Sequence, residues 1–257
     1  MSWLRVWTIA HNGFRETIRD RLLYAIGFYG LLLILAIRIL PEVAASLEDA
    51  MLADLGLGLM GLLGAIAAIF VGTTLMNKEI EQRTLLVLLP KPLSRAELIL
   101  GKHLGLWAVI GVMILAMTGI YGLALALAKA PVLIASTLVA ALYLWLELSI
   151  LIAVALFLGS FTQGALATLL SFGIYGIGHL NTDWVELARL SESPGLRRLL
   201  HGLYFLLPDL SRLNWRNDAV YGLLPSGGEL AVDALYAFSY TVFLLVLAMI
   251  IFARRQF

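Results

Sequence analysis

The sequence predicts an all-α polytopic membrane protein with about six transmembrane helices, folded as a single domain over residues 1–257. Hydrophobic residues make up 61% of the chain and charged residues only 14%, which is more apolar surface than one soluble core of this size buries. Several apolar runs reach about 20 residues, enough to cross a hydrocarbon core roughly 30 Å thick. Helices are favoured in lipid because each backbone group must find its hydrogen bond within its own segment.

Six runs are candidate spans, with boundaries that can shift by a few residues: 22–40, 55–76, 104–128, 131–157, 165–180 and 232–252. When the spans are threaded alternately from a cytoplasmic N-terminus, 11 of the 18 Lys and Arg residues fall on the inner side. Most of these lie close to span ends, where the positive-inside rule has most force. We therefore expect a multi-pass protein of the inner (cytoplasmic) membrane with both termini in the cytoplasm.

The N-terminal stretch 1–21 predicts an interfacial helix that contacts membrane lipid. At 100° per residue its apolar residues share one face and its polar residues the other. The apolar face comprises Trp3, Val6, Trp7, Ala10, Phe14 and Ile18. Tryptophan favours the headgroup level of a bilayer. The helix could simply anchor the first span, or it could also grip a soluble partner.

The second span carries small residues at helical spacing, namely Gly64, Ala68 and Gly72. Small residues let two helix backbones approach closely in lipid, where packing must replace the hydrophobic drive. This face is therefore expected to pack against another helix. That helix could belong to the same chain, which is the simpler reading, or to a second copy.

Segment 77–103 separates the second and third spans and is charged and interrupted by proline. It opens with the cluster Lys78, Glu79, Glu81 and Arg83 and continues with five apolar residues. Pro90 and Pro92 then stop a helix. Ser94 stands three residues before Glu97, the spacing of a capping box that starts a new helix. The segment predicts a short surface helix, a turn and a capped helix that leads into the third span.

Glu147 lies near the middle of the fourth span. An ionised carboxylate there costs about 2.5 to 3.5 kcal/mol on insertion scales. The residue is therefore expected to be protonated, paired or facing a water-filled cavity. It could belong to a substrate path or a dimer interface, with Tyr143 beside it, or it could be a packing residue bonded to a neighbouring helix.

The long segment 181–228 precedes the last span and is predicted to form short outer-side or re-entrant helices, at about 183–190 and 196–207. Ser193-Pro194-Gly195 and Pro208 mark the helix ends. These helices could form an outer gate or a plain structural cap.

Several functional classes are disfavoured by what the sequence contains. There is no cysteine, and the four histidines are scattered at positions that do not have ligand spacing, so a metal site is not expected. We find no phosphate-binding loop and no hydrolase motif, so no catalytic residue is assigned. A formal net charge of +1 without a separate basic domain disfavours nucleic acid as a partner.

Segment 77–103 and the C-terminal end resemble the membrane subunits of type-2 ABC exporters. They are similar in particular to the permeases of nitrous-oxide-reductase maturation and of multidrug-type systems. The matching residues are the EIEQRT stretch 79–84, Leu88-Leu89-Pro90, Leu93-Ser94-Arg95, Gly101-Lys102 and the basic tail FARRQF. Arg83 stands where this family commonly has glycine.

The resemblance implies a dimer of permeases, taken here as a homodimer, seated on two ABC ATP-binding subunits. It implies a coupling helix at about 79–89, a short loop at 159–164 and re-entrant helices within 181–228. The residues expected to meet the ATPase are Glu79, Glu81, Arg83, Thr84, Leu88, Pro90, Arg95 and Gln163. ATP and Mg²⁺ would be bound by the partner subunit, and this chain would bind no cofactor.

Two alternatives to the transport reading remain open. The chain could be a membrane anchor or assembly subunit that docks a soluble enzyme without moving a substrate. A membrane-embedded enzyme is the third possibility. The sequence does not identify the cargo.

Overall fold

The computed structural model describes residues 3–20, 22–44, 47–81, 94–180 and 193–254. Within these ranges the chain is helical and contains no strand, so the predicted all-α fold is confirmed. The helices are α1 (Trp3–Asp20), α2 (Leu22–Val43), α3 (Glu48–Glu81), α4 (Arg95–Ala128), α5 (Ile134–Gly159), α6 (Gly164–His179), α7 (Pro194–Leu206), α8 (Arg216–Val220) and α9 (Gly227–Arg254). A 3-10 turn, Ser211–Leu213, precedes α8.

Among the described helices, α2, α3, α4, α5 and α9 are long and apolar enough to cross a membrane. The predicted fifth span corresponds to α6, which is apolar but has only 16 residues. That length rises about 24 Å, short of a hydrocarbon core of roughly 30 Å. The chain returns to the end of α6, where the Leu210 amide donates to the Gly178 carbonyl at 3.0 Å. The chain around Leu210 therefore occupies part of the depth that α6 leaves free.

α5 is the central helix of the bundle. Residues 147–156 are all buried, and α3, α4, α6, α8 and α9 pack around them. α2 lies at the edge, against α3 and α4. The core of the protein is thus built around residues 147–156 of the fourth span.

The small-residue face of α3 packs against α5 of the same chain. A Cβ at Gly64 would lie 2.8 Å from Leu148 Cδ1, and one at Gly72 would lie 2.7 Å from Ala155 Cβ. Ala68, between them, is buried. Both distances are too short for a real Cβ. At Gly72 the neighbouring Cβ is fixed to its backbone, so the close approach of the two helices depends on glycine there, whereas at Gly64 the end of the Leu148 side chain would have to move.

α1 lies along the first turns of α4. Val6 and Ala10 are buried there, and a Cβ at Gly105 would lie 2.6 Å from the Ala10 carbonyl oxygen. Trp3 and Trp7 point away from the bundle and are 78% and 72% exposed. The predicted apolar face is thus divided, because its smaller residues pack on α4 while its tryptophans face outward.

The outer-side segment contains the second of its two predicted helices. The predicted helix 196–207 is observed as α7, which begins with Pro194 in its first turn. The predicted helix 183–190 lies outside the described residues. Tyr240 on α9 donates to the Leu206 carbonyl at 2.9 Å, so the end of α7 is tied to the last span.

Candidate functional site

The helix of the second span extends into the predicted coupling segment. α3 continues through Glu81, so residues 77–81 prolong this span and Glu79 lies within it. Arg83, Thr84, Leu88 and Pro90 lie outside the described residues, and so does most of the predicted coupling helix. The structure describes the two ends of that segment: α3 leads into it, and α4 follows it.

The predicted capping box is confirmed at the start of α4. The Ser94 hydroxyl accepts from the Glu97 amide at 3.2 Å, and the Ser94 amide donates to the Glu97 carboxylate at 3.0 Å. This reciprocal pair satisfies two amide donors that a helix start otherwise leaves without partners. α4 therefore begins at a defined residue directly after the coupling segment.

Arg95 binds the end of the last span. Its Nη1 donates to the carbonyls of Phe252, at 2.6 Å, and Ala253, at 3.2 Å, and the guanidinium lies 5.8 Å from the centroid of the Phe252 ring. Carbonyls in the last turn of a helix lack partners within that helix, and a cation there also opposes the negative end of the helix dipole. The sequence predicted Arg95 as an interface charge, whereas these contacts lie within the chain and join α4 to α9.

Lys102 joins α4 to α3. Its ammonium is buried and donates to the Leu75 carbonyl at 3.1 Å. The first two turns of α4 thus carry contacts to the ends of two other spans, since Arg95 and Lys102 are seven residues apart. Sequence reasoning counted Lys102 as a basic residue of the inner side and as part of the family resemblance, but assigned it no contact.

Gln163 caps the start of α6 at the same end of the bundle. It is exposed, and its backbone is extended with φ −78° and ψ 153°. A Cβ at the following Gly164 would lie 2.4 Å from Asn77 Nδ2, so this loop touches α3 just before the coupling segment. We call residues 75–81, 94–102, 159–164 and 252–254 the inner junction.

Glu147 belongs to a second group of residues, in the middle of the bundle. Its side chain is only 1% exposed. Oε1 lies 3.3 Å from His179 Nε2, and Oε2 lies 3.9 Å from Arg216 Nη2. Arg216 Nη2 is itself 3.1 Å from His179 Nε2. The carboxylate is therefore paired electrostatically, although neither of its oxygens makes a well-aligned hydrogen bond.

Arg216 comes from segment 181–228, which is predicted to lie on the outer side, and its side chain reaches between the spans. Its Nε donates to Asn214 Oδ1 at 2.7 Å, which orients the guanidinium. A Cβ at Gly61 would lie only 1.7 Å from Nη1, so the guanidinium rests on the bare backbone of α3. Gly61 is 13 residues into α3, about 20 Å along its axis. The Arg216 side chain thus inserts between the spans, and the re-entrant helices predicted within 181–228 stay a prediction.

Tyr143 has a packing role in the chain. Its hydroxyl donates to the Leu230 carbonyl, and its ring meets Trp215 edge-on with centroids 6.5 Å apart. These contacts tie α5 to the start of α9 and to the turn before α8. The side chain is buried within this chain.

Glu147, His179 and Arg216 form what we call the central cluster. Sequence reasoning found Glu147 but not its partners, since it searched for histidine and carboxylate at ligand spacing along the chain. His179 ends an apolar helix and Arg216 lies 69 residues beyond Glu147, so only the fold brings them together. Among the described residues, no group of three His, Asp or Glu side chains could hold a metal ion.

Comparison with known proteins assigns the family. The curated proteins yield no match. The family model described as "ABC-2 family transporter protein" matches residues 7–257 and so includes both the inner junction and the central cluster. The chain therefore belongs to the ABC-2 transporter family and is a membrane permease component of an ABC transporter.

Proposed function

We propose that this chain is the permease subunit of an ABC exporter of the inner membrane. It works as a homodimer with two copies of a separate ATP-binding subunit, and both of its termini lie in the cytoplasm. The observation that carries the proposal is the inner junction, where the coupling segment leaves α3 and enters α4 while Arg95 binds the end of α9. Export rather than import rests on the resemblance of segment 77–103 to exporters.

The inner junction suits the transmission of movement. ATP and Mg²⁺ held by the partner subunits supply the energy when those subunits close on each other. Displacement of the coupling segment acts directly on α3, which is continuous through Glu81, and on α4, whose start is fixed by the Ser94 cap. Arg95 carries the same displacement to α9. Packed helices respond to such a shift by discrete rigid-body movement rather than by gradual deformation.

The residues proposed to meet the ATPase fall into two groups. Glu79, Glu81 and Gln163 belong to the inner junction, at the end of α3 and the start of α6. Arg83, Thr84, Leu88 and Pro90 belong to the remainder of the coupling segment. Arg95 is proposed to act mainly within the chain. No residue of this chain is assigned a catalytic role, since hydrolysis belongs to the partner.

The test is co-purification of the chain with its ATP-binding subunit, followed by ATPase measurement in vesicles. We expect the permease to bind that subunit and to stimulate its ATPase activity. Replacement of residues 82–89 by a Gly-Ser linker of equal length should abolish both effects, while a Gly-Ser replacement of 222–225 on the opposite side should leave binding intact.

Two outcomes would contradict the proposal. One is binding and stimulation that survive the linker in the coupling segment. The other is co-purification with a soluble enzyme that lacks ATPase activity, which would instead support an anchoring role.

A further inference from the structure

The hydrogen bond of His179 Nδ1 determines which hydrogen-bonding roles remain for the other ring nitrogen, Nε2. Nδ1 lies 3.1 Å from the Tyr175 carbonyl oxygen, which can only accept a hydrogen bond. Nδ1 therefore carries a hydrogen. Nε2, which faces the central cluster, then has either one lone pair or a second proton.

Arg216 and a proton compete for that lone pair. When Nε2 is unprotonated it can accept from Arg216 Nη2 at 3.1 Å, and arginine can only donate. When Nε2 is protonated it faces Glu147 Oε1 at 3.3 Å as a donor and faces the guanidinium as a like charge. A proton placed on Glu147 instead would point at the same lone pair. Either way, one bound proton removes the site that Arg216 uses.

The charge balance of the central cluster also favours withdrawal of Arg216 when a proton binds. With neutral His179, Glu147 and Arg216 cancel in a site where Glu147 is 1% exposed. One added proton leaves a net positive charge there, and an uncompensated buried charge is costly. Withdrawal of Arg216 toward the outer side restores neutrality.

The elements around the cluster each contribute a defined group. α6 contributes Tyr175, whose ring meets the His179 imidazole edge-on at 4.6 Å and whose hydroxyl faces Arg216. Asn214 binds Arg216 from the turn before α8, and α3 contributes the backbone at Gly61. Asp218 lies two residues after Arg216 on the same short helix.

We propose that Glu147 and His179 form a proton-binding site, and that the bound proton displaces Arg216 and releases residues 213–220 from the core. Residue 216 enters the bundle between α3, α5 and α6, so its withdrawal loosens the re-entrant segment on the outer side. Release would open a path to the outer side, a consequence that rests on the proposed transport function. Glu147 and His179 are then positioning residues for the segment rather than groups that touch cargo.

The absence of cysteine allows a direct test by thiol labelling. Ala219→Cys places a single thiol at a site that is 4% exposed, on the residue whose carbonyl accepts from Ser136 at 3.1 Å. Tyr221→Cys, at a site that is 72% exposed, reports the pH dependence of the reagent itself. The complex with the ATP-binding subunit, without nucleotide, is treated with a membrane-impermeant maleimide between about pH 5 and 8. The ratio of the two labelling rates is the measurement.

We expect this ratio to rise as pH falls, by at most about tenfold per pH unit, which is the limit for one proton. The double variant Glu147→Gln/His179→Gln, which removes both proton acceptors, should make the ratio independent of pH. Gly61→Ala should raise it at every pH, because the added methyl occupies the position of the guanidinium. Gly58→Ala is the matched control in the same helix, since a Cβ there meets nothing within 4 Å. Arg216→Gln should behave like Gly61→Ala.

A ratio that is constant with pH in the otherwise unaltered chain would overturn the proton site. Equal ratios for Gly61→Ala and Gly58→Ala, together with an unchanged ratio for Arg216→Gln, would overturn the role of Arg216. Because labelling requires neither ATP nor cargo, these results are independent of the ATPase stimulation that tests the proposed function.

Discussion

At the scale of single residues, Gly72 makes the sharpest prediction about stability. Its Cβ position lies 2.7 Å from Ala155 Cβ, and both residues belong to helices that cannot easily move apart. Gly72→Ala should therefore lower the free energy of unfolding by about 1–3 kcal/mol, the usual cost of overpacking. Thermal unfolding in detergent is the measurement.

The control is Gly58→Ala, an identical change in the same helix at a position with open space around it. This variant should be neutral or slightly stabilising, because alanine has the higher helix propensity. Equal destabilisation of the two variants would show that the contact between α3 and α5 is looser than described.

The residue scale also separates what sequence could and could not predict. Ser94 and Glu97 were predicted correctly because a capping box is a local pattern, decided within four residues. The partners of Glu147 were not predicted, because His179 is 32 residues away along the chain. The cost of burying a carboxylate indicates that a partner exists, but only the packing of α5, α6 and α8 decides which one.

At the scale of elements, the Arg95→Gln variant distinguishes two roles of Arg95 at the start of α4: binding the end of α9 or meeting the ATP-binding subunit. If its main role is to bind the end of α9, Arg95→Gln should keep the ATP-binding subunit bound and lower ATPase stimulation, because α9 no longer follows α4. If it is an interface charge, as the sequence predicted, binding itself should weaken. Binding and stimulation are measured on the same purified complex.

Arg38→Gln is the control for this experiment, since Arg38 is an exposed arginine on α2 and is expected on the opposite side of the membrane. It should change neither quantity. If Arg95→Gln no longer bound the ATP-binding subunit, Arg95 would be an interface residue for that subunit. The link between α9 and the coupling segment would then have no experimental support.

The helix boundaries show which parts of the fold can be predicted from periodicity and composition. The apolar runs predicted every long helix, since a span must be about 20 residues of apolar sequence. The short length of α6 was predicted, since the run 165–180 has 16 residues, as the helix does. The return of the chain through Leu210 to the end of that helix was not predicted. The continuation of α3 to Glu81 was also not predicted, because charged residues were read as the start of a new element.

At the scale of the whole molecule, the mechanism requires the inner junction and the re-entrant segment to lie on opposite sides of the membrane. α5 begins near Ala219, whose carbonyl accepts a hydrogen bond from Ser136 in the first turn of α5. It ends next to the loop that carries Gln163. One helix thus links the two functional regions, so movement at the inner junction can reach the central cluster along its length. The sidedness of its two ends decides whether the central cluster can act as an outer gate.

Single cysteines test this arrangement in a chain that has none of its own. Tyr221→Cys and Gln163→Cys are both exposed and lie beyond opposite ends of α5. In intact cells an impermeant maleimide should label Tyr221→Cys, whereas Gln163→Cys should react only after permeabilisation. The reverse pattern would put the coupling segment on the outer side, where no ATP-binding subunit could reach it, and would turn the central cluster toward the cytoplasm.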